Sequence, residues 1–259
     1  MKVIKRYLDN RLGEYSFYFE DINSKYTFSI NENVKMISAS CIKVPIAMVL
    51  LKKVENGDLD LNSKILVSKE EMVDGAGIIH EFSPREYSIN ELLTVMLVQS
   101  DNTATNKIID LLEMDEISKE FENLALTNTK LNRKMRDEVA RESGHENYSS
   151  SFDLSMCFKV LYKNTYLSLE NSNYLLDILR RQQIRDKIPF YIPEKYWPLI
   201  ANKTGSLEFV ENDTCYMSIP KGDFIFTVMS QKLPSNVYGI ATISRIGEII
   251  WDILDKSWN

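Results

Sequence analysis

Three short motifs constrain this chain more than any other feature of its sequence. They are Ser-x-x-Lys at 40–43, Ser-Asp-Asn at 100–102 and Lys-Thr-Gly at 203–205. Each motif alone is weak, because such short strings also occur by chance. All three in this order are far harder to obtain by accident. A fold that uses them must bring together three segments that lie far apart in the sequence.

The first motif supplies a serine and a candidate base. A serine hydroxyl is a poor nucleophile at neutral pH, so it needs a neighbouring base and a site that stabilises the oxyanion. Lys43 lies one helical turn after Ser40, so that both side chains face the same way. A lysine acts as a base when burial or a nearby positive charge makes its ammonium release a proton. We therefore interpret Ser40 as a nucleophile and Lys43 as its base.

The other two motifs add polar groups that suit the same chemistry. Lys203 is the candidate positive neighbour of Lys43. Ser100 can relay a proton between the two lysines and a leaving group, and Asn102 can hold a substrate amide with its donor and its acceptor. Asp101 is predicted to be structural and to tie down the turn at the head of the following helix.

Apolar periodicity places the first two motifs at the ends of helices. The apolar run at 44–51 predicts a buried helix that starts at or just before the serine of the first motif. Residues 88–99 predict a second helix, in which Ser88 and Glu91 form a capping box. The Ser-Asp-Asn motif follows that helix and precedes another helix predicted at 103–112.

The predicted strands lie towards the two ends of the chain. A short strand at 198–201 leads into Lys203, and a long helix at about 236–256 closes the chain. An amphipathic segment at 3–12 precedes the first strands. The other strands are predicted at 15–19, 26–30, 208–212, 215–219 and 223–231, with a turn at 220–223.

The motifs and the order of these elements resemble the class A β-lactamases within the penicillin-binding serine acyl-enzyme superfamily. The resemblance covers nearly the whole chain and implies an α+β fold of two lobes that form one catalytic domain, 1–259. One lobe, at about 1–35 and 195–259, would hold an antiparallel five-stranded sheet flanked by the terminal helices. The other lobe, at about 36–194, would be all-helical.

The resemblance also implies a serine hydrolase that acts through an acyl-enzyme on a β-lactam or a related amide. Ser40, Lys43 and Ser100 would then be catalytic, and the backbone N–H groups of Ser40 and Ser206 would form the oxyanion hole. Lys203 would bind a substrate carboxylate by its charge, and the threonine after it by its hydroxyl. The substrate-binding residues would be Asn102, Lys203, Thr204 and Ser206.

One loop departs from the β-lactamase pattern. In class A β-lactamases, a glutamate in the loop after the Ser-Asp-Asn helix activates the deacylating water. When this loop is aligned on its Leu-x-Arg start at 131–133, Met135 takes the place of that glutamate. Asp137 and Glu138 are interpreted as a solvated charge pair, although a differently shaped loop would let them reach the site. We therefore expect an acylated serine to stay acylated for long.

Two other functions remain open with the same residues. One is an esterase or a D-alanyl-peptidase-like hydrolase, and the other is a slow-acylating module that binds or senses its ligand. In each case the expected partner is a small molecule, namely a β-lactam, a peptide or an ester that carries a carboxylate.

Composition narrows the class of protein. The chain has 259 residues with 44% apolar content, which is enough for a substantial core, and no linker divides it. Its net charge of −6 argues against a nucleic-acid partner, and the basic residues at 133–141 are interpreted as a solvated loop. The longest apolar run, 44–51, is too short to cross a bilayer. Because no signal peptide is visible, we expect a cytoplasmic protein without a membrane partner, or an extracytoplasmic one if a leader was removed.

Cysteine and histidine usage points away from metal and disulfide chemistry. The three cysteines, Cys41, Cys157 and Cys215, are an odd number without C-x-x-C spacing, so neither a disulfide framework nor a zinc site is indicated. Cys41 is interpreted as small apolar filling beside the nucleophile. His80 and His145 lack partners at ligand spacing. We expect no metal and no cofactor, and Ser/Lys chemistry instead of a Ser/His/Asp triad.

Overall fold

The computed structural model describes residues 1–258, which form an α+β fold with one main sheet. The α-helices are α1 (Lys2–Leu8), α2 (Lys43–Glu55), α3 (Ile89–Val98), α4 (Asn102–Leu112), α5 (Met114–Asn123), α6 (Glu138–Glu142), α7 (Ser151–Lys163), α8 (Leu169–Arg180) and α9 (Asn236–Ser257). The strands are β1 (Glu14–Asp21), β2 (Thr27–Ile30), β3 (Met36–Ile37), β4 (Lys64–Val67), β5 (Arg85–Ser88), β6 (Tyr148–Ser149), β7 (Ile200–Leu207), β8 (Val210–Ile219) and β9 (Gly222–Gln231). No helix within this range is both long and apolar enough to cross a membrane.

The main sheet has five antiparallel strands in the order β2-β1-β9-β8-β7. The first two strands and the last three therefore meet between β1 and β9, although most of the chain separates them in sequence. This confirms the predicted α+β class and the five-stranded antiparallel sheet. The region 36–194 is mainly helical but not all-helical as predicted, because the two-stranded sheets β3-β6 and β4-β5 lie within it. Strand β7, which carries the Lys-Thr-Gly motif, lies at one edge.

The strands around the third motif differ from the sequence prediction. The segments 208–212 and 215–219 were predicted as two strands, but Val210–Ile219 is the single strand β8, and Glu208 and Phe209 form the turn before it. The two predicted strands left a gap at Asp213 and Thr214, yet these residues and the neighbouring Glu211 and Asn212 are buried in the strand because distant groups satisfy them. For example, the Lys187 ammonium lies 2.6 Å from the Glu211 carboxylate. The strand into the motif also differs, because Pro198 and Leu199 belong to a 3₁₀ turn and β7 runs on to Leu207.

Two hydrophobic cores lie on opposite faces of the sheet. Helices α2, α3, α4, α5, α7 and α8 form the first core, and α1, α9 and the sheet form the second. Adjacent strand residues alternate between them, as in β8, where Tyr216 joins the first core and Met217 joins the second. Strand β7 divides in the same way, with Ile200 in the second core and Ala201 in the first. The edge strand with the third motif therefore joins the two cores.

Serine side chains cap the starts of two helices, α3 and α7. Ser88 Oγ accepts a hydrogen bond from Glu91 N at 3.1 Å, and Glu91 Oε2 accepts one from Ser88 N at 2.7 Å. This capping box was predicted from the sequence, and it fixes the start of α3. The Ser-Asp-Asn motif directly follows the other end of this helix. Ser150 caps α7 by accepting from Asp153 N at 3.1 Å.

The packing of the second core predicts that shortening one of its aromatic side chains lowers the stability of the fold. Phe19 is fully buried, and its ring centroid lies 6.0 Å from that of Phe224 and 6.4 Å from that of Phe226. We expect Phe19→Ala to lower the free energy of unfolding by about 3–5 kcal/mol, since it leaves a cavity in a packed core. Urea denaturation measures this change. Phe82→Ala is the control, because Phe82 is 45% exposed. Equal losses in the two variants would contradict this account of the core.

Candidate active site

Ser40 lies where a tight turn becomes a helix. Residues Ala39–Ile42 form a 3₁₀ turn that leads directly into α2. Ala39 has φ 45°, a left-handed conformation that a residue other than glycine adopts only when its surroundings hold it there. Ser40 is half-buried and lines a cavity of about 150 Å³. The turn therefore presents Ser40 to this cavity at the N-terminal end of a buried helix.

Lys43 is fully buried and bonded to the Ser-Asp-Asn motif. Its Nζ donates to Ser100 O at 2.7 Å, to Ser100 Oγ at 3.3 Å and to Asn102 Oδ1 at 3.1 Å. Burial lowers the pKa of Lys43 well below its ordinary value, and the positive charge of Lys203 lowers it further. Within residues 1–258, no hydrogen bond joins Lys43 Nζ to Ser40 Oγ.

Lys203 also donates a hydrogen bond to Ser100. Its Nζ donates to Ser100 Oγ at 2.9 Å and to Thr204 O at 2.7 Å. Burial lowers the pKa of Lys203 to about 8. Ser100 itself is held at φ 58°, in the left-handed region. The hydroxyl of Ser100 thus bridges two buried lysines, so residues of the three motifs meet at one place.

The remaining residues of the Ser-Asp-Asn motif have separate tasks. Asp101 caps α4 by accepting from Ala104 N at 2.8 Å, and its other carboxylate oxygen accepts from Ile78 N at 2.7 Å. This confirms the predicted structural role of Asp101. Asn102 accepts from Lys43 and donates from Nδ2 to Asp74 O at 3.0 Å. Its amide is therefore oriented at the cavity that it lines together with Ser40.

Gly205 lets β7 approach the start of α2. A Cβ atom at this position would lie 3.0 Å from Ser40 N and 2.9 Å from Ser38 O, and the second distance is shorter than real Cβ contacts. The absence of a side chain therefore brings Ser206 beside the nucleophile, where it also lines the cavity. Thr204, just before the glycine, is buried.

A buried ion pair behind β7 escaped the sequence analysis. Lys187 Nζ donates to Ser206 Oγ at 2.9 Å and to Gly205 O at 3.1 Å, and it pairs with Glu211 at 2.6 Å. Ser206 Oγ in turn donates to Glu211 Oε2 at 2.8 Å. Next to this pair, burial raises the pKa of Asp213 to about 6. No local pattern marks Lys187, since its partners come from two strands that follow it in the chain.

The loop between α5 and α7 places Met135 in the cavity. Met135 is 8% exposed, and its backbone is fixed by Asn106, whose Oδ1 accepts from Met135 N at 2.8 Å and whose Nδ2 donates to Met135 O at 3.0 Å. Asp137 instead caps α6, and Glu138 pairs with Arg136 at 3.0 Å. Neither of these two carboxylates lines the cavity.

Arg133 corrects one interpretation of the sequence. The basic residues at 133–141 were expected to be solvated, but Arg133 is buried and its Nη2 lies 2.7 Å from Glu146 Oε1. Glu146 also accepts from Asn147 N at 2.8 Å and lines the Ser40 cavity. The sequence analysis missed Glu146, because its partner lies 13 residues away in the same loop.

The cysteines do not take part in this constellation. Cys41 is fully buried, its Sγ donates to Lys203 O at 3.3 Å, and burial raises the pKa of its thiol to about 12. Cys157 and Cys215 are also buried with a raised thiol pKa. These contacts agree with the interpretation of Cys41 as filling. In the described part of the chain, no group of three or more His, Cys, Asp or Glu residues could hold a metal ion.

Comparisons with known proteins give matches over nearly the whole chain. A family model described as the "Beta-lactamase enzyme family" matches residues 1–254. The β-lactamase VEB-1 of Pseudomonas aeruginosa is 22% identical over 247 residues, covering 89% of this chain and 82% of the relative. Among solved structures, PBP-A superposes with a TM-score of 0.90 at 25% identity, and a β-lactamase from Sphaerobacter thermophilus with a TM-score of 0.88 at 24% identity. Each superposition covers 98% of this chain and 95% of the other.

The electrostatics of the two lysines give a direct prediction. We expect Lys203→Met to raise the pKa of Lys43, because the charge of Lys203 is one of the causes that lower it. The ¹³Cε chemical shift of Lys43, followed against pH by NMR, measures this pKa. Lys221→Met, at an exposed position, is the control and should leave it unchanged. A Lys43 pKa that stays constant or falls in Lys203→Met would show that the two charges do not interact.

Proposed function

The chain belongs to the β-lactamase enzyme family, and from this premise we propose that it is a serine hydrolase acylated at Ser40 by a β-lactam or a related amide and deacylated slowly. One observation carries the proposal. Ser40 and Met135 line the same cavity, beside the Lys43, Ser100 and Lys203 cluster. The cluster supplies the groups needed for acylation, whereas Met135 supplies no base for deacylation.

In the proposed acylation, Ser40 Oγ attacks the carbonyl carbon of the substrate and its proton passes to Lys43 Nζ. The lowered pKa of Lys43 favours the neutral amine that this step requires. When the carbon–nitrogen bond breaks, Ser100 Oγ hands a proton to the leaving nitrogen and takes one from a neighbouring lysine. The hydrogen bonds of Ser100 to both lysines support this relay.

Among the proposed substrate-binding residues, Asn102 and Ser206 line the cavity, whereas Lys203 and Thr204 are buried next to them. Lys203, with a pKa of about 8, is largely protonated at neutral pH and suits a carboxylate, and Thr204 adds its hydroxyl. The Asn102 amide suits a substrate amide. The backbone N–H groups of Ser40 and Ser206 are the proposed oxyanion hole, supported by the close approach of β7 to the start of α2.

Slow deacylation follows from the chemistry of the loop. A methionine thioether cannot accept a proton from water at neutral pH. Glu146 is the carboxylate that lines the cavity, but one of its oxygens is engaged by both Arg133 and Asn147 N. These contacts hold the Glu146 carboxylate against Arg133 and occupy the oxygen that they engage. The acyl-enzyme should therefore accumulate.

Met135 also favours a second candidate function, a module that binds or senses its ligand through a long-lived adduct. An esterase or a D-alanyl-peptidase-like hydrolase would use the same residues. Steady-state turnover separates a catalyst from a module. A chromogenic cephalosporin compared with a p-nitrophenyl ester separates the two kinds of hydrolase.

Intact-mass spectrometry after mixing with benzylpenicillin tests the acylation proposal. We expect one covalent adduct per chain, which peptide mapping places on Ser40. Ser40→Ala should remove the adduct without unfolding the protein, because the hydroxyl is the only group lost. Cys41→Ala should retain it and is the matched control. Labelling that survives in Ser40→Ala, or an adduct on another residue, would disprove the assignment of the nucleophile.

Pre-steady-state kinetics tests the deacylation proposal. We expect a burst of about one equivalent of opened penicillin followed by a slow phase, as an accumulating acyl-enzyme requires. Met135→Glu should accelerate the slow phase by at least about tenfold and leave the burst rate nearly unchanged, since general-base catalysis is worth about 10²–10⁴-fold when the base is well placed. Met135→Gln matches its size without the carboxylate and should not accelerate the slow phase. Turnover at hundreds per second without a burst in the wild-type protein would show that another base acts.

A further inference from the structure

We propose that a second pocket of this protein binds a small uncharged aromatic molecule that carries a carbonyl oxygen. The pocket has a volume of about 240 Å³ and lies between the turn at 78–82, strand β5 and helix α3. We call it the Tyr87 pocket, after the tyrosine of β5 that lines it. None of the residues that line it also lines the Ser40 cavity, so it is a separate site.

Apolar side chains form much of the wall of the Tyr87 pocket. Ile79 is buried, whereas Ile78 and Phe82 keep 43% and 45% of their surface exposed. Val95 adds an apolar side chain from α3. An apolar ring in the pocket would remove part of this exposed apolar surface from water. Since a cavity of about 150 Å³ holds benzene, the larger volume found here accommodates a ring with a short substituent.

Tyr87 supplies the polar group that selects the ligand. Its side chain lines the pocket and is only 3% exposed. Within residues 1–258, its buried hydroxyl has no hydrogen-bond partner. Such a group is uncommon, because a buried hydroxyl without a partner has lost its hydrogen bonds to water without compensation. A ligand oxygen that accepts a hydrogen bond from this hydroxyl would satisfy it.

The charges around the pocket favour an uncharged ligand. Arg85 and Glu91 both line it, and Arg85 Nη1 lies 3.5 Å from Glu91 Oε1. The Arg85 guanidinium also stacks on the Tyr87 ring, with its carbon 3.6 Å from the ring centroid. Because the two opposite charges offset each other, an anion or a cation would lose its hydration without gaining a free partner charge. A carbonyl oxygen accepts a hydrogen bond without this cost.

One wall of the Tyr87 pocket is hydrogen-bonded to the Ser-Asp-Asn motif. The backbone N–H groups of Ile78 and Ile79 donate to Asp101 Oδ2 at 2.7 Å and 2.8 Å. Gly77 packs directly on Asp101, since a Cβ atom at this glycine would lie 2.2 Å from the same oxygen. A ligand that packs on Ile78 and Ile79 would therefore stabilise the turn that Asp101 holds.

Titration with acetophenone, followed by the amide chemical shifts in NMR, tests the proposal. We expect saturable shifts confined to 78–82 and 85–95, with a Kd of about 1 mM or below, as ordinary ligand efficiency gives for nine non-hydrogen atoms. α-Methylstyrene has the same shape with a CH₂ group in place of the carbonyl oxygen, and benzoate is the charged analogue. Benzoate should bind at least about fivefold more weakly than acetophenone, because its charge is desolvated without a free partner.

Three variants locate the site and its hydrogen bond. Tyr87→Phe should weaken acetophenone about fivefold, the scale of one hydrogen bond, and leave the affinity for α-methylstyrene unchanged. Thr94→Phe places a ring in the pocket and should abolish the binding of both compounds. Tyr26→Phe is the control, because Tyr26 is 43% exposed and does not line the pocket. Thermal unfolding of each variant verifies its fold, and Tyr87→Phe alone decides the proposal if Thr94→Phe does not fold.

Several outcomes would overturn the proposal. They are shifts that do not saturate or that spread over the whole surface, an equal weakening of both compounds in Tyr87→Phe, and tighter binding of benzoate than of acetophenone. Saturating acetophenone should also slow hydrogen exchange of the Ile78 and Ile79 amides, and unchanged exchange would disprove the link to Asp101. None of these measurements uses a β-lactam, so a failure of benzylpenicillin to label Ser40 would refute the proposed function and leave this test intact.

Discussion

Two buried ammonium groups share one serine hydroxyl, and the rest of the site depends on this arrangement. Burying a cation is costly unless polar groups surround it, and proteins commonly place a carboxylate beside it. Among residues 1–258, no ion pair within 4.0 Å is formed by Lys43 or Lys203. Backbone carbonyls, Ser100 and Asn102 surround them instead. Their lowered pKa values follow directly from this environment.

Such an arrangement must be held by a stable framework, and the two cores provide it. Helix α2 brings Lys43 from the helical core, and β7 brings Lys203 from the sheet. Because Gly205 has no side chain, β7 packs closely against the turn at Ser40, and this packing fixes the distance between Lys43 and Lys203. The Lys187 and Glu211 pair supports the same strand from behind. Unlike the two lysines of the site, Lys187 has a carboxylate partner, which suits a structural cation.

Local chemistry explains which features could be predicted from the sequence. The capping box at Ser88 and the cap at Asp101 depend on residues within three positions, and both were predicted correctly. The single strand β8 was missed because the polar residues Asp213 and Thr214 separate its two predicted halves, and only distant partners, such as Ile188 N for Asp213, show that this part is buried. Arg133 was misjudged for the same reason, since a buried arginine and a solvated one look alike until the partner is known. The predicted boundaries of the two lobes and the roles of the motif residues stay predictions.

The three buried thiols have a practical consequence for measuring motion in this protein. Cys41, Cys157 and Cys215 are enclosed in the cores, and burial keeps their thiols protonated at neutral pH, so they react poorly with thiol reagents. A cysteine introduced on the surface would therefore react selectively without removal of the native ones. Pairs of spin labels or fluorophores would then report the distance between two segments that line the cavity, those at Gly75 and at Met135, in an otherwise unaltered chain.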